Sequence, residues 1–317
     1  MEIMPDSAMI NDGSAKEPRM QAYLDLARQG KNGWWRSLLA VFLILFMWQI
    51  LGAVPGAALI IWAALTNGPR AGNLTGALPG VGMLAGFIAI MLASVLFLVG
   101  IILAMRFIHH RSVRTLITPS RSIMWRRFFQ GFGIWFLLAC LIAIVEAGLY
   151  PGRYTLSWDP LKFIPFSLLG LILIPIQTSA EELFFRAYIL QGVGLRQRNI
   201  WVLSVISGVL FGLPHLLNPE ASINYPLMGL YYFGFGFMLA FITLRDGRLE
   251  LALGAHAANN LFSILIANTT ITVLPSPSIF TINVLDAVYS VPAAVIGMVI
   301  FVWLFVGPLK GKNAIGS

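Results

Sequence analysis

Residues 179–192 read SAEELFFRAYILQG. They set two adjacent carboxylates, Glu181 and Glu182, and an arginine, Arg186, at the end of an apolar run that begins near Leu161. A helix of about 20 apolar residues crosses a hydrocarbon core, so this run reads as a membrane span carrying charge at one end. Runs of comparable length recur at about 38–65, 81–105, 128–149, 200–217, 225–244, 249–270 and 284–306. With 161–182 they predict an all-α, polytopic membrane bundle of about eight transmembrane helices.

The rest of the composition agrees. The chain has 317 residues, of which 58% are hydrophobic and only 11% charged, whereas charged residues make up about a quarter of a soluble domain. The formal charge of +8 is therefore a statement about topology and excludes nothing about chemistry except a nucleic-acid reading, because basic residues of such proteins collect in cytoplasmic loops. Alternating the eight spans puts Lys16, Arg19, Arg28, Lys31, Arg36, Arg106, Arg111, Arg114, Arg121, Arg126, Arg127, Arg186, Arg196, Arg198, Arg245, Arg248, Lys310 and Lys312 on one side. Only Arg70, Arg153 and Lys162 fall on the other. That asymmetry predicts both termini to be cytoplasmic.

The expected organisation is a flexible cytoplasmic segment (1–37), three N-terminal spans (38–150), a catalytic membrane domain (151–310) and a cytoplasmic tail (311–317). The first apolar run is far longer than the roughly 7–15 residues of a signal-peptide core, so it reads as a retained span. Trp34 and Trp35 suit an interfacial anchor. Breaks fall at turn-forming groups such as Asn67–Arg70, Tyr150–Arg153, Asn218–Glu220 and Pro275–Pro277. Pro55, Pro165 and Pro175 lie inside spans, where neighbouring groups satisfy the freed carbonyls. Gly82 and Gly86 have the spacing of close helix packing. Cys140 has no partner cysteine in the chain, which excludes an intrachain disulfide and a cysteine-rich metal site.

An ionisable side chain within a span is costly unless paired or facing a cavity, so each is a functional candidate. The set is Glu146, Glu181, Glu182, Arg186, His215, His256 and Asp286. Glu182 and Arg186 are four residues apart with the acid first, the favoured pairing along a helix face, and this leaves Glu181 about 100° round the helix without a cation. His256 and Asn260 share a face at the same spacing. Glu146, beside Tyr150, reads as an ordinary interfacial acid, Asp286 as a helix N-terminal charge, and His109 and His110 as solvated or headgroup-facing residues of a basic loop.

A carboxylate in an apolar pocket can serve as general base toward water, and a second group must stabilise the oxyanion formed at an attacked carbonyl. Glu181 suits the first role, His256 and Asn260 the second, and His215 the positioning of the water. The same Glu181, His215 and His256 can instead hold a zinc ion with one position open for water. The HisGluXaaXaaHis pattern of many zinc peptidases is absent.

The ordered motifs GluGluXaaXaaXaaArg (Glu181 to Arg186), PheXaaXaaXaaHis (Phe211 to His215) and HisXaaXaaXaaAsn (His256 to Asn260) resemble the CPBP family of intramembrane proteases, also called the Abi or type II CAAX prenyl endopeptidase family. The resemblance spans about residues 160–270 and leaves the first three spans uncovered. It implies a glutamate-dependent endopeptidase with Glu181 as base, His215 on the water, His256 and Asn260 at the oxyanion, and Arg186 held by Glu182 in a supporting pair. No cofactor is needed in that mechanism, although the family was once described as zinc metalloproteases. The implied partners are the bilayer and a peptide or membrane-protein substrate, lipid-modified where the host prenylates proteins; nucleic acid is not among them. A proton-coupled transporter and a noncatalytic scaffold or immunity factor on the same fold are the alternatives. The chain lacks the pseudo-symmetric halves expected of the former.

One geometric requirement follows. If the fourth helix ended at Glu182, a straight fifth helix from Ile200 would carry His215 about 22 Å away across the membrane at 1.5 Å per residue. The fourth helix is therefore expected to run on through Phe185–Leu190, and the fifth to be tilted or broken around Gly212 and Pro214.

Overall fold

The computed structural model describes residues 17–67, 78 and 80–307. Helix α1 is Glu17–Asp25. The apolar helices are α2 (Trp34–Thr66), α3 (Met83–Ile108), α4 (Trp125–Leu149), α5 (Pro160–Val193), α6 (Ile200–His215), α7 (Tyr225–Asp246), α8 (Glu250–Leu261) and α9 (Ala287–Val306). The eight apolar runs are thus eight helices. Six of them, α2 to α5, α7 and α9, are long and apolar enough to cross a membrane. The other two, α6 and α8, are shorter, and α8 gains one π turn at Phe262–Ile266. The chain is an integral, multi-pass membrane protein. Residues 1–16, Arg70, Lys310, Lys312 and the 311–317 tail lie outside the described residues.

Helix α5 continues past Glu182, as the geometry required, through a π turn at Leu183–Tyr188. Asp159 caps its start by accepting the Leu161 N–H at 3.1 Å, and Pro165 and Pro175 sit within it. The expected break in the fifth helix is not there. Helix α6 is regular up to His215, with Pro214 in its last turn, and ends. Depth is matched by arithmetic instead: Glu181 lies 12 residues before the end of α5 and His215 lies 15 residues after the start of α6. The two therefore sit about 18 and 22 Å from the short connection that joins the helices.

Close packing rests on glycines other than Gly82 and Gly86. A Cβ at Gly82 would meet nothing within 4 Å. A Cβ at Gly254 would lie 2.0 Å from the Phe128 carbonyl oxygen, and one at Gly131 would lie 2.3 Å from that of Leu251, so α4 and α8 touch backbone to backbone. Gly208 and Gly236 bring α6 against α7 in the same way.

Part of the N-terminal segment expected to be flexible folds onto the bundle. Tyr23 and Leu24 of α1 are fully buried, and the Tyr23 hydroxyl donates to the Leu116 carbonyl at 2.7 Å. His109 is likewise 5% exposed rather than solvated. Its Nδ1 meets the Lys31 carbonyl at 3.0 Å and its Nε2 the Tyr188 hydroxyl at 3.0 Å. Sequence cannot show this, because both partners are distant in the chain, Lys31 in the connection before α2 and Tyr188 on α5. At the opposite ends of the helices a small sheet closes the bundle, with β1 (Tyr154–Leu156), β2 (Ala267–Thr269) and β3 (Phe280–Ile282) in the order β1-β3-β2. The β1–β3 pair is antiparallel and the β2–β3 pair parallel. Glu146, 4% exposed, binds Arg153 at 2.9 Å and the Tyr154 hydroxyl at 2.7 Å, while Arg153 also reaches Asp286 at 2.5 Å. Glu146 is thus a buried tether for the sheet. Asp286 accepts the Val288 N–H, the N-terminal role expected of it, in addition to this ion pair.

Candidate active site

Glu181, Glu182 and Arg186 stand on α5, His215 ends α6, and His256 and Asn260 stand on α8. The tertiary fold brings them together around one cavity of about 610 Å³. Glu181, His215, His256 and Asn260 all line it, with Trp135, Tyr231 and Phe235.

Glu182 and Arg186 form the expected pair, 3.1 Å apart and both fully buried. The pair is electrostatic in character, since the guanidinium N–H groups miss hydrogen-bond alignment and the group lies over the Phe211 ring, 3.9 Å from its centroid. His256 then bridges the two glutamates. Its Nδ1 is 2.7 Å from Glu182 Oε1 and its Nε2 is 3.6 Å from Glu181 Oε2. A carboxylate accepts only, so Nδ1 is the donor of that short bond.

The environment of Glu181 contains a residue that the motifs do not point to. Gln177, one turn earlier on α5, donates its side-chain amide to Glu181 Oε1, and its own oxygen accepts from Asn260 Nδ2 at 3.0 Å. Gln177 thereby links the base candidate to α8. Its i, i+4 relation to Glu181 was the available signal, since polar residues at that spacing share a face. Asn259 was also missed. It donates to Asn260 Oδ1 at 3.1 Å and accepts from Trp135 Nε1 and the Tyr231 hydroxyl, each at 3.2 Å. The result is a polar chain running Trp135 and Tyr231 to Asn259, Asn260, Gln177 and Glu181. Glu181 Oε2, buried, accepts no hydrogen bond from the described residues.

His215 stands apart from this chain. Its Nδ1 donates to the Phe211 carbonyl at 2.7 Å, because that oxygen has no proton to give. In the neutral ring Nε2 therefore carries the lone pair. The Phe211 ring separates the two histidines, with its centroid 4.1 Å from that of His215 and 5.7 Å from that of His256. Among the described residues no three His, Cys, Asp or Glu side chains gather as a group that could hold a metal ion. The zinc set Glu181, His215 and His256 does not converge in this arrangement, and both Nδ1 atoms are engaged elsewhere.

Comparison with known proteins gives the family. Residues 160–262 match the family model described as type II CAAX prenyl endopeptidase Rce1-like. An uncharacterized protein of Bacillus subtilis (strain 168), YyaK, is 35% identical over 260 residues, covering 80% of this chain and 85% of its own length. No solved structure matches. The matched interval holds α5 to α8 and every residue of the three motifs, and the similarity to YyaK extends well beyond it, so the chain belongs to the type II CAAX prenyl endopeptidase Rce1-like family, a family of membrane proteases.

Proposed function

We propose that the protein is an intramembrane endopeptidase that hydrolyses a peptide bond with water activated by Glu181. The observation that carries this reading is the buried Oε2 of Glu181, which accepts no hydrogen bond from the described residues, on a side chain lining one cavity with His215, His256 and Asn260. A water held by the Nε2 lone pair of His215 loses a proton to Glu181 as its oxygen attacks the peptide carbonyl carbon. The carbonyl oxygen becomes an oxyanion that takes a hydrogen bond from Asn260, whose NH2 has a second N–H beyond the one given to Gln177, and another from His256 when its ring carries a proton on Nε2 as well as on Nδ1. Collapse breaks the C–N bond, and Glu181 passes its proton to the leaving amine. Glu182 holds His256 through Nδ1 and is itself held by Arg186. No step runs through a metal. The substrate is a peptide or the tail of a membrane protein, presented from the bilayer.

The test compares peptide termini across the membrane proteome of cells carrying the wild type and cells carrying Glu181→Ala at matched expression. Termini present only with the wild type are expected, and they should persist when membranes are treated with a chelator. Identical profiles would move the protein to a noncatalytic scaffold on this fold, and chelator-sensitive termini would overturn the metal-free mechanism.

A further inference from the structure

From Asp25 onward, every carboxylate outside the cavity has a cationic partner. Asp25 pairs with Arg28 and Arg198, Asp159 with Lys162, Asp246 with Arg127, Glu250 with Arg248, and Asp286 with Arg153. Three carboxylates line the cavity with Glu182 behind them. Glu146 has Arg153, and Glu181 has His256. Glu220, on the 3₁₀ turn Pro219–Ile223 between α6 and α7, is the one carboxylate from Asp25 onward among the described residues with no lysine, arginine or histidine paired to it. Its Oε2 accepts the Val273 N–H at 3.1 Å, its Oε1 has a long contact of 3.4 Å from Asn218 Nδ2, and the Tyr232 hydroxyl lies beside the carboxyl.

A second observation points to the same place. Tyr232, 6% exposed, lines the cavity, and its buried hydroxyl lies beside the Glu220 carboxyl and Asn218 without making a hydrogen bond of normal geometry to either. Buried hydroxyls are normally satisfied, and an orphan calls for an explanation. The Tyr232 ring packs on His215 with 5.2 Å between centroids, so the orphan hydroxyl and Glu220 adjoin the reacting centre. No lysine or arginine is among the described residues lining the cavity.

Resting on the endopeptidase reading, we infer that Glu220 and the Tyr232 hydroxyl form a subsite for a cationic side chain of the substrate, a lysine or arginine close to the scissile bond. An ammonium or guanidinium donates to Glu220 Oε1 and to the Tyr232 oxygen at once, satisfying both, while Oε2 stays on Val273 N–H. An anionic group would meet a carboxylate with no cation to offset it. Burial of Glu220 pushes its carboxyl up, so its charge is costly until such a partner arrives.

The test applies the same profiling of termini to Glu220→Gln and Tyr232→Phe beside Glu181→Ala. Glutamine keeps an oxygen for Val273, and phenylalanine keeps the ring on His215, so both preserve the packing. Among termini that depend on Glu181, those with Lys or Arg within about three residues of the cut, some 10 Å of extended chain, should fall about ten- to a hundredfold in Glu220→Gln, the range for a lost charge-assisted hydrogen bond. The remaining termini should hold, and Tyr232→Phe should produce a smaller loss in the same subset. Glu181-dependent termini without enrichment in Lys or Arg, or a uniform loss in Glu220→Gln, would overturn the subsite and leave the protease standing. No change in Glu181→Ala would overturn the protease itself.

Discussion

His109 shows at the scale of a single residue how partner geometry changes a reading. A histidine in a run of arginines reads as solvated, yet its ring is buried with both nitrogens used. Burial, with Arg111 and Arg36 nearby, holds its imidazole below the ordinary value of 6.5, against the raising effect of the Lys31 carbonyl. The folded state thus favours the neutral ring more than the unfolded chain does. The stability this supplies is complete above pH 6.5 and is lost as pH falls through the depressed folded value. Thermal melting of the purified protein in detergent should show stability falling below pH 6.5, with a shallower slope in His109→Gln. Equal slopes would mean that His109 does not titrate differently in the two states. Gln177 is the complementary case: an uncharged residue that passes unnoticed in a list of ionisable groups, yet fixes the orientation of Glu181.

The decisive element is α5, a single helix of 34 residues from Pro160 to Val193. Its π turn at Leu183–Tyr188 begins directly after the paired glutamates, and π turns recur at functional sites because they re-aim side chains within a helix. Arg186, counted with the loop cations by sequence, is in fact fully buried on this turn. Removing one partner of a buried pair leaves the other charge stranded, at a cost of about 3–5 kcal/mol. Arg186→Met should therefore lower the melting temperature strongly, and the double variant Glu182→Gln/Arg186→Met should recover part of the loss. If the single variant melts like the wild type, the pair contributes no net stability and His256 alone satisfies Glu182.

Orientation in the bilayer belongs to the whole molecule. The Lys and Arg asymmetry proposes that the end carrying Arg111, Arg127, Arg198 and Arg248 faces the cytoplasm, and that the end carrying β1, Arg153 and Lys162 faces outward. A cysteine-free background, Cys140→Ser, allows a direct check. Thr155→Cys should react with a membrane-impermeant maleimide in intact cells, and Arg121→Cys should react only after permeabilisation. The reverse pattern would invert the topology. At this scale the sequence by itself determined the membrane bundle, its eight apolar helices and the Glu182–Arg186 pairing, because apolar run length and i, i+4 spacing are local and strong. It also singled out Glu181, His215, His256 and Asn260, since charged and polar groups stand out against lipid-facing sequence. Only the tertiary structure decided that these four share a cavity, that Gln177 joins Glu181 to Asn260 and Asn259, that His109 and Glu146 are buried tethers, and that Glu220 has no cation. Those outcomes depend on which helices meet, and a buried polar group is stabilised or stranded by a partner distant in sequence, as His256 is by Glu182, 74 residues away.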